Sequence, residues 1–254
     1  MTARIAALAY GVIAYLAFLA SLDFTVLFLA GVVVPKTVDD GPAGPAWLAV
    51  VVNLALLSLF AVQHSVMARP WFKRAWTRVV PPAIERSTYV LAASAVVGLL
   101  LWQWRPLPDE VWSVDASWAR ALLWAGQAAG WGIAVVSTFL LGHFDLFGLQ
   151  QVIARWRSTP YREDGFRTPS LYRYVRHPLM TGFLIAFWCT PDMSAGRLLF
   201  AATASAYILV AVRFEERDLR AQLGEPYIDY ADQVPRFVPR VTSGLAVPER
   251  SRTD

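Results

Sequence analysis

A basic segment lies directly before an apolar run in the last third of the chain. This segment, residues 173–182, has the sequence RYVRHPLMTG. Pro178 suits the first turn of a helix, where its missing N–H costs no hydrogen bond. Arg176 and His177 would then lie at a helix N-terminus, which favours anions, and Gly182 would let a ligand or another backbone approach closely. Two interpretations stay open: a basic anchor for lipid headgroups, or a site for an anionic ligand.

Two carboxylates and a proline-containing tail form a second group. Glu215 and Glu216 directly follow the last apolar run. A helix C-terminus prefers cations, so these carboxylates suit either ion pairs on an exposed cytoplasmic helix or a ligand. Further along, Tyr227 and Tyr230 are three residues apart and would share one helix face. Residues 234–239 (VPRFVP) predict an extended strap.

A third group combines histidine and carboxylate with apolar neighbours. His143 and Asp145 lie in GHFDLFGLQQ, and His64 ends a separate apolar run. Polar groups at membrane depth are costly and usually face a cavity or a partner. A structural His–Asp pair and a catalytic one are both compatible with this pattern. The sequence predicts no metal site, because the three histidines are far apart and there is one cysteine.

The composition indicates an integral membrane protein. Of the 254 residues 56% are hydrophobic and 17% are charged, and the mean hydropathy is +0.42. Soluble domains have roughly 45–50% apolar residues. The net charge of +4 comes from scattered basic residues, which is a poor fit to nucleic-acid binding. The single cysteine, Cys189, excludes a disulfide within the chain.

Several apolar runs approach the roughly 20 residues that a membrane span needs. We expect an all-α integral membrane protein with about five to six transmembrane helices, of which the last two form a helical hairpin around the turn sequence TPDMSAG. The predicted spans are 6–34, 47–67, 89–104 with its flanks, 118–141 and the interrupted run 178–212, which crosses twice or is re-entrant.

The distribution of charged residues among the loops predicts the orientation of the chain in the membrane. The loop 69–86 has five Lys or Arg against one Glu, whereas 36–45 and 106–117 are net acidic. The positive-inside rule therefore predicts cytoplasmic N- and C-termini. We expect a single polytopic membrane domain, with an N-terminal four-helix part (1–142), a C-terminal core (143–242) that includes a cytoplasmic capping tail, and a flexible end (243–254).

The candidate residues occur in an order that resembles a known family. RHPLMTG, EERDL and LGEPYIDYADQVPRFVP resemble the C-terminal signature of the isoprenylcysteine carboxyl methyltransferase superfamily. QHSVMARPWFKR, ERSTYVLAAS, GHFDLFGLQQ and FRTPSLYRYVRHPLMTGF are similar to its bacterial branch that methylates methanethiol. Together these motifs extend from about residue 63 to residue 239. The resemblance identifies the 143–242 core as the methyltransferase core.

The resemblance implies roles for individual residues. The expected contacts to S-adenosylmethionine are Arg176, His177, Pro178, Gly182, Glu215, Glu216, Tyr227, Tyr230 and Arg236. The expected catalytic residues are His143, Asp145 and His64. A thiol attacks as its thiolate, so a base near neutral pKa would help. We expect His143, oriented by Asp145, to be this base, with His64 as the second candidate.

The expected function is S-adenosylmethionine-dependent methylation of methanethiol to dimethyl sulfide at the cytoplasmic face of the bacterial inner membrane. Its partners would be a small thiol and membrane lipid, without nucleic acid or metal. Alternatives are a methyltransferase for another acceptor, such as hydrogen sulfide, another small thiol or a lipid-like carboxylate, or a non-catalytic membrane protein of the related group associated with nitric oxide respiration. A transporter would predict charge at mid-membrane, for which Asp23 is the candidate.

Overall fold

A computed structural model describes residues 1–42, 44–162 and 167–240. The predicted flexible end, 243–254, lies outside the described residues. The helices in chain order are α1 (Thr2–Ala30), α2 (Ala46–Ala68), α3 (Pro70–Trp76), α4 (Pro82–Gln103), α5 (Ser117–Leu140), α6 (His143–Leu146), α7 (Leu149–Arg157), α8 (Pro178–Trp188), α9 (Ala195–Leu223) and α10 (Glu225–Gln233). Two short strands, β1 (Glu110–Ser113) and β2 (Asp192–Ser194), and a 3₁₀ turn at Ser170–Arg173 complete the described structure.

Five of the helices are long and apolar enough to cross a membrane: α1, α2, α4, α5 and α9. Large apolar side chains lie exposed along them, among them Ile13, Leu16 and Phe139, as expected for surfaces that face lipid. The prediction of an all-α integral membrane protein with five to six such helices is confirmed. The sixth apolar helix, α8, has 11 residues. It is roughly 16 Å long, about half of a hydrocarbon core.

The predicted hairpin is formed by α8 and α9, and its turn is held by strand pairing. In the turn, β2 pairs antiparallel with β1, so that Ser113 lies opposite Asp192. Arg120 at the start of α5 donates two hydrogen bonds of 2.7 Å to the Asp192 carboxylate. These bonds hold the pKa of Asp192 below its ordinary value. The turn is therefore fixed to the chain segment that enters α5.

Polar contacts close the end of the bundle at which this turn lies. Asp39, between α1 and α2, accepts hydrogen bonds from Ser194 and from Arg197, the latter at 2.8 Å. Buried Asn53 donates to the carbonyl of Arg105 at 2.7 Å and accepts from its N–H at 2.9 Å. Both polar atoms of the buried Asn53 amide thus have a partner, as burial requires.

Helices α5 and α8 pack with their backbones in contact. A Cβ atom added to Gly130 would lie 2.5 Å from the backbone nitrogen of Ala186, and one added to Gly182 would lie 2.6 Å from that of Ala134. Small residues permit such close approach between membrane helices. The pairing runs antiparallel, which brings the start of α8 beside the end of α5. Gly182 thus has a packing role, and its predicted cofactor contact stays a prediction.

The opposite end of the bundle, which we call the site end, comprises the starts of α1, α4 and α8, the ends of α2, α5 and α9, and helices α3, α6, α7 and α10. Here α7 packs against α1, where a Cβ on Gly11 would lie 2.5 Å from a methyl group of Val152. It is preceded by Gly148, whose carbonyl accepts a hydrogen bond from Ser87 of α4. Helix α7 follows the predicted boundary at residue 142, so the two predicted parts share one packed structure.

Candidate active site

The residues singled out from the sequence all lie toward the site end, and one group of them surrounds the start of α8. His177 caps this helix and Pro178 occupies its first position, as predicted. The tail runs alongside, because the N–H groups of Arg176 and His177 donate to the carbonyls of Pro235 and Arg236, at 2.8 and 3.1 Å. The tail is therefore bound to the loop before α8.

A buried carboxylate, Glu216 on α9, organises this region. Its side chain is 3% exposed. Its Oε1 accepts from Arg176 Nε at 2.9 Å and lies 3.2 Å from His177 Nε2. Its Oε2 accepts from Arg236 Nε and Nη2, at 3.0 and 2.8 Å. Charge-assisted bonds of this kind offset the cost of burying the anion. We call these four residues the Glu216 cluster.

Arg176 extends the Glu216 cluster to α10. Its Nη1 also donates to the carbonyls of Ala231 and Val234, at the end of that helix. The last carbonyls of a helix have no partner within the helix, so an arginine is well placed to satisfy them. One guanidinium thus links the start of α8, the body of α9 and the end of α10.

The two tyrosines of the tail pack α10 against the rest of the protein. Tyr227 is 2% exposed, and the Tyr230 hydroxyl donates to the carbonyl of Tyr172 at 2.6 Å. Burial raises the pKa of Tyr227 to about 12 and also raises that of Tyr230, so both hydroxyls stay protonated. Their predicted role as cofactor contacts stays a prediction.

Glu215 differs sharply from Glu216. Its side chain is 49% exposed, and its Oε2 lies 3.7 Å from His177 Nδ1. Arg236 is similarly open, with 48% of its side chain exposed. Arg176 and Glu216 direct their polar atoms into the protein. Among the predicted cofactor contacts, Glu215, Arg236 and the positive end of α8 are therefore best placed to meet a polar ligand.

His143 is buried among aromatic rings at the turn after α5. Its ring stacks on Phe139 with centroids 4.2 Å apart. Its Nδ1 lies 2.7 Å from Thr138 Oγ1, and its Nε2 lies 2.8 Å from the Tyr15 hydroxyl. Thr138 Oγ1 also donates to the carbonyl of Val135 at 2.7 Å. Because that bond uses its only hydroxyl proton, we assign the ring proton to Nδ1, which leaves Nε2 as the basic nitrogen.

The expectation that Asp145 orients His143 is wrong. The Asp145 carboxylate accepts from the Tyr161 hydroxyl at 2.6 Å and from Gln151 Nε2 at 3.0 Å. Asp145 belongs to the four-residue helix α6, where residues two apart point in different directions. Sequence reasoning missed Tyr15 and Thr138, the residues that do orient the imidazole, because Tyr15 reaches His143 only through the packing of α1, 128 positions away in the sequence.

His64 lies in a third environment, between α2, α4 and α9. The Tyr89 hydroxyl contacts the edge of its ring, 2.9 Å from Nε2, and Phe60 stacks on the ring at 5.1 Å. The Tyr207 ring approaches it edge-on. Directly after α2, Arg69 forms a 2.7 Å ion pair with Asp218 of α9.

Within the described ranges, no group of three His, Cys, Asp or Glu is arranged to hold a metal ion.

Comparison with known proteins assigns the chain to a family. A family model described as NnrU protein matches residues 52–226. The methanethiol S-methyltransferase of Mycobacterium tuberculosis is 56% identical over 91% of this chain and 94% of its own length. The chain belongs to the NnrU protein family and is a homologue of the methanethiol S-methyltransferases.

Other members of the group extend this similarity. Methanethiol S-methyltransferase 2 of Bradyrhizobium diazoefficiens is 51% identical over 100% of this chain and 95% of its own length. Human nurim is 28% identical over 66% of this chain and 67% of its own length. No solved structure matches the chain significantly. The family resemblance predicted from the C-terminal motifs is therefore confirmed by relatives that cover almost the whole sequence.

Neutralising Glu216 should destabilise the protein far more than neutralising the neighbouring Glu215. Glu216→Gln leaves the buried Arg176 without its counter-ion, which typically costs about 3 kcal/mol. For a chain of this size we expect thermal unfolding in detergent about 6 to 12 °C lower than in the wild type. The matched control, Glu215→Gln, removes an exposed carboxylate and should shift the midpoint by less than about 2 °C. Equal midpoints for the two variants would contradict this description of the Glu216 cluster.

Proposed function

We propose that the protein transfers a methyl group from S-adenosylmethionine to the sulfur of methanethiol, which yields dimethyl sulfide and S-adenosylhomocysteine at the cytoplasmic face of the bacterial inner membrane. One observation carries the proposal. Six relatives, 44 to 56% identical over 91 to 100% of this chain, are named methanethiol S-methyltransferase. Such similarity over nearly the whole length favours this activity over the predicted alternatives, which were another acceptor, a non-catalytic protein and a transporter.

The exposed groups around the Glu216 cluster suit the proposed methyl donor. S-adenosylmethionine carries an amino group, a carboxylate and ribose hydroxyls, and it would supply a methyl group on a positively charged sulfur. The half-exposed Glu215 carboxylate can accept from the amino group or the hydroxyls. The half-exposed Arg236 guanidinium and the N-terminus of α8 suit the carboxylate. Arg176, Glu216 and His177 would hold these groups in position.

An apolar aromatic environment suits a small thiol. His143 is surrounded by Phe139, Phe144 and Phe147, and its ring lies 4.9 Å from that of Phe147. A small apolar thiol partitions from water into such surroundings. The packing of α5 against α8 supports placing the thiol near the methyl donor. Helix α5 ends shortly before His143, and α8 begins directly after His177.

The thiol must lose its proton, because the thiolate is the nucleophile. Burial lowers the pKa of His143 below its ordinary value of 6.5, so the imidazole is neutral at pH 7. Its Nε2 is the unprotonated nitrogen, and the Tyr15 hydroxyl bonded to it can relay a proton. Thr138 keeps the proton on Nδ1. We therefore assign proton uptake to His143 Nε2, with Tyr15 and Thr138 as positioning residues and His64 as the second candidate base.

Headspace analysis tests the proposed reaction directly. Membranes that contain the protein should form dimethyl sulfide from S-adenosylmethionine and methanethiol, and membranes from cells without the gene should not. Replacing methanethiol by hydrogen sulfide or ethanethiol measures the acceptor range. Absence of dimethyl sulfide, while membranes with the Mycobacterium tuberculosis relative form it, would refute the assignment.

The pH dependence of the rate tests the base. The lowered pKa predicts that the wild-type rate falls on the acid side with a midpoint below pH 6.5. His143→Gln cannot take up a proton, so its rate should fall about 100-fold and the acid limb should disappear. His64→Gln is the matched control and should keep the limb. If instead His64→Gln loses the acid limb and His143→Gln keeps it, the base is His64.

A further inference from the structure

A cleft opens between α3, the start of α4 and α7. It encloses about 510 Å³ and shares no lining residue with the Glu216 cluster. None of the roles assigned above uses this cleft. Its volume is large enough for a lipid headgroup or a comparable small molecule.

The cleft is strongly basic. Lys73, Arg74, Arg86 and Arg155 line it, and Glu85 is the acidic side chain that the described lining contributes. These residues come from three different segments, and an excess of positive charge in one concave site favours an anion. Guanidinium groups match the geometry of phosphate oxygens especially well.

The start of α4 adds to this preference. The hydroxyls of Thr77, Thr159 and Tyr161 also line the cleft, and they donate within the protein to the carbonyls of Lys73 and Ala154 and to Asp145 Oδ1. Pro82 and Ala83, the first residues of α4, also line it. The N–H groups of a helix start have no partners within the helix, and the dipole there is positive. The lining thus combines positive charge with a helix start.

The position of the cleft indicates where its ligand comes from. Helix α3 begins directly after α2 ends, and both α2 and α4 are membrane-spanning candidates, so the cleft lies at the membrane boundary. Trp71 and Trp156, on two of the helices that form it, are 56% and 47% exposed. Exposed tryptophans are typical of headgroup depth.

We propose that this cleft binds a phosphate group, carried by an anionic phospholipid headgroup or by a soluble phosphate ester. Binding is coupled to the region of His143, because two lining residues, Gln151 and Tyr161, hydrogen-bond to the Asp145 carboxylate. An occupied cleft therefore stabilises the α6–α7 segment. The proposal that the cleft binds phosphate does not rest on the proposed methyl-transfer reaction.

Binding measurements on the detergent-solubilised full chain test the proposal. The probes are short-chain phosphatidylglycerol, short-chain phosphatidylcholine and glycerol 3-phosphate, with affinities from microscale thermophoresis and bound copies from native mass spectrometry. The variant R86Q/R155Q removes two lining arginines. The matched control R78Q/R157Q removes two arginines that do not line the cleft, one from the connection between α3 and α4 and one from α7.

We expect phosphatidylglycerol to bind the wild type and R78Q/R157Q with affinities within about twofold of each other. Binding to R86Q/R155Q should be about 30-fold weaker, since each basic residue near an anionic headgroup contributes about 1 kcal/mol and 1.4 kcal/mol is tenfold. Should R86Q/R155Q fail to fold, R155Q alone, on an exposed face of α7, should weaken binding about fivefold.

The remaining probes distinguish the sources and can overturn the proposal. If phosphatidylglycerol binds and glycerol 3-phosphate does not, the ligand is a lipid. If glycerol 3-phosphate binds as tightly as phosphatidylglycerol, the ligand is a soluble ester. The proposal is wrong if phosphatidylcholine binds as tightly as phosphatidylglycerol, if R78Q/R157Q weakens binding as much as R86Q/R155Q, or if neither anionic probe binds.

Discussion

The buried carboxylate of Glu216 is the interaction on which the site end depends. An anion with 3% of its side chain exposed is unfavourable unless both oxygens are satisfied. Arg176, His177 and Arg236 satisfy them, and these residues come from two segments 60 positions apart in the sequence. The same contacts fix the start of α8, the end of α10 and the tail. A carboxylate on the exposed face of a helix could not contact all of these elements.

The two ends of the bundle differ in the contacts that they contain. At one end, polar contacts such as Asp39 with Arg197 and Asn53 with Arg105 close loops around the hairpin turn. At the site end, a charged region surrounds Glu216 and an aromatic region surrounds His143. The backbone contact at Gly130 and Gly182 aligns the end of α5, which leads into His143, with the start of α8. Charged surroundings suit a polar methyl donor, and aromatic ones suit an apolar thiol.

Much of the fold could be predicted from the sequence, because apolar runs of about 20 residues and the turn around Pro191 are local signals. The start of α8 was predictable from Pro178 for the same reason. The orientation of His143 was not, since its partners Tyr15 and Thr138 are chosen by packing between α1 and α5. Adjacent helical residues point about 100° apart, so Glu215 and Glu216 had to differ. Which of them faces inward is decided by tertiary contacts.

We propose that the Glu216 cluster frames the binding site of the methyl donor and that Glu215 contributes an open carboxylate to it. Calorimetric titration of S-adenosylmethionine into the purified protein measures this most directly. The wild type should bind one molecule per chain, and Glu215→Gln should bind at least about tenfold more weakly with unchanged thermal unfolding. Glu225→Gln, which removes an exposed carboxylate at the start of α10, should bind as the wild type does. Unchanged affinity in Glu215→Gln would contradict the account.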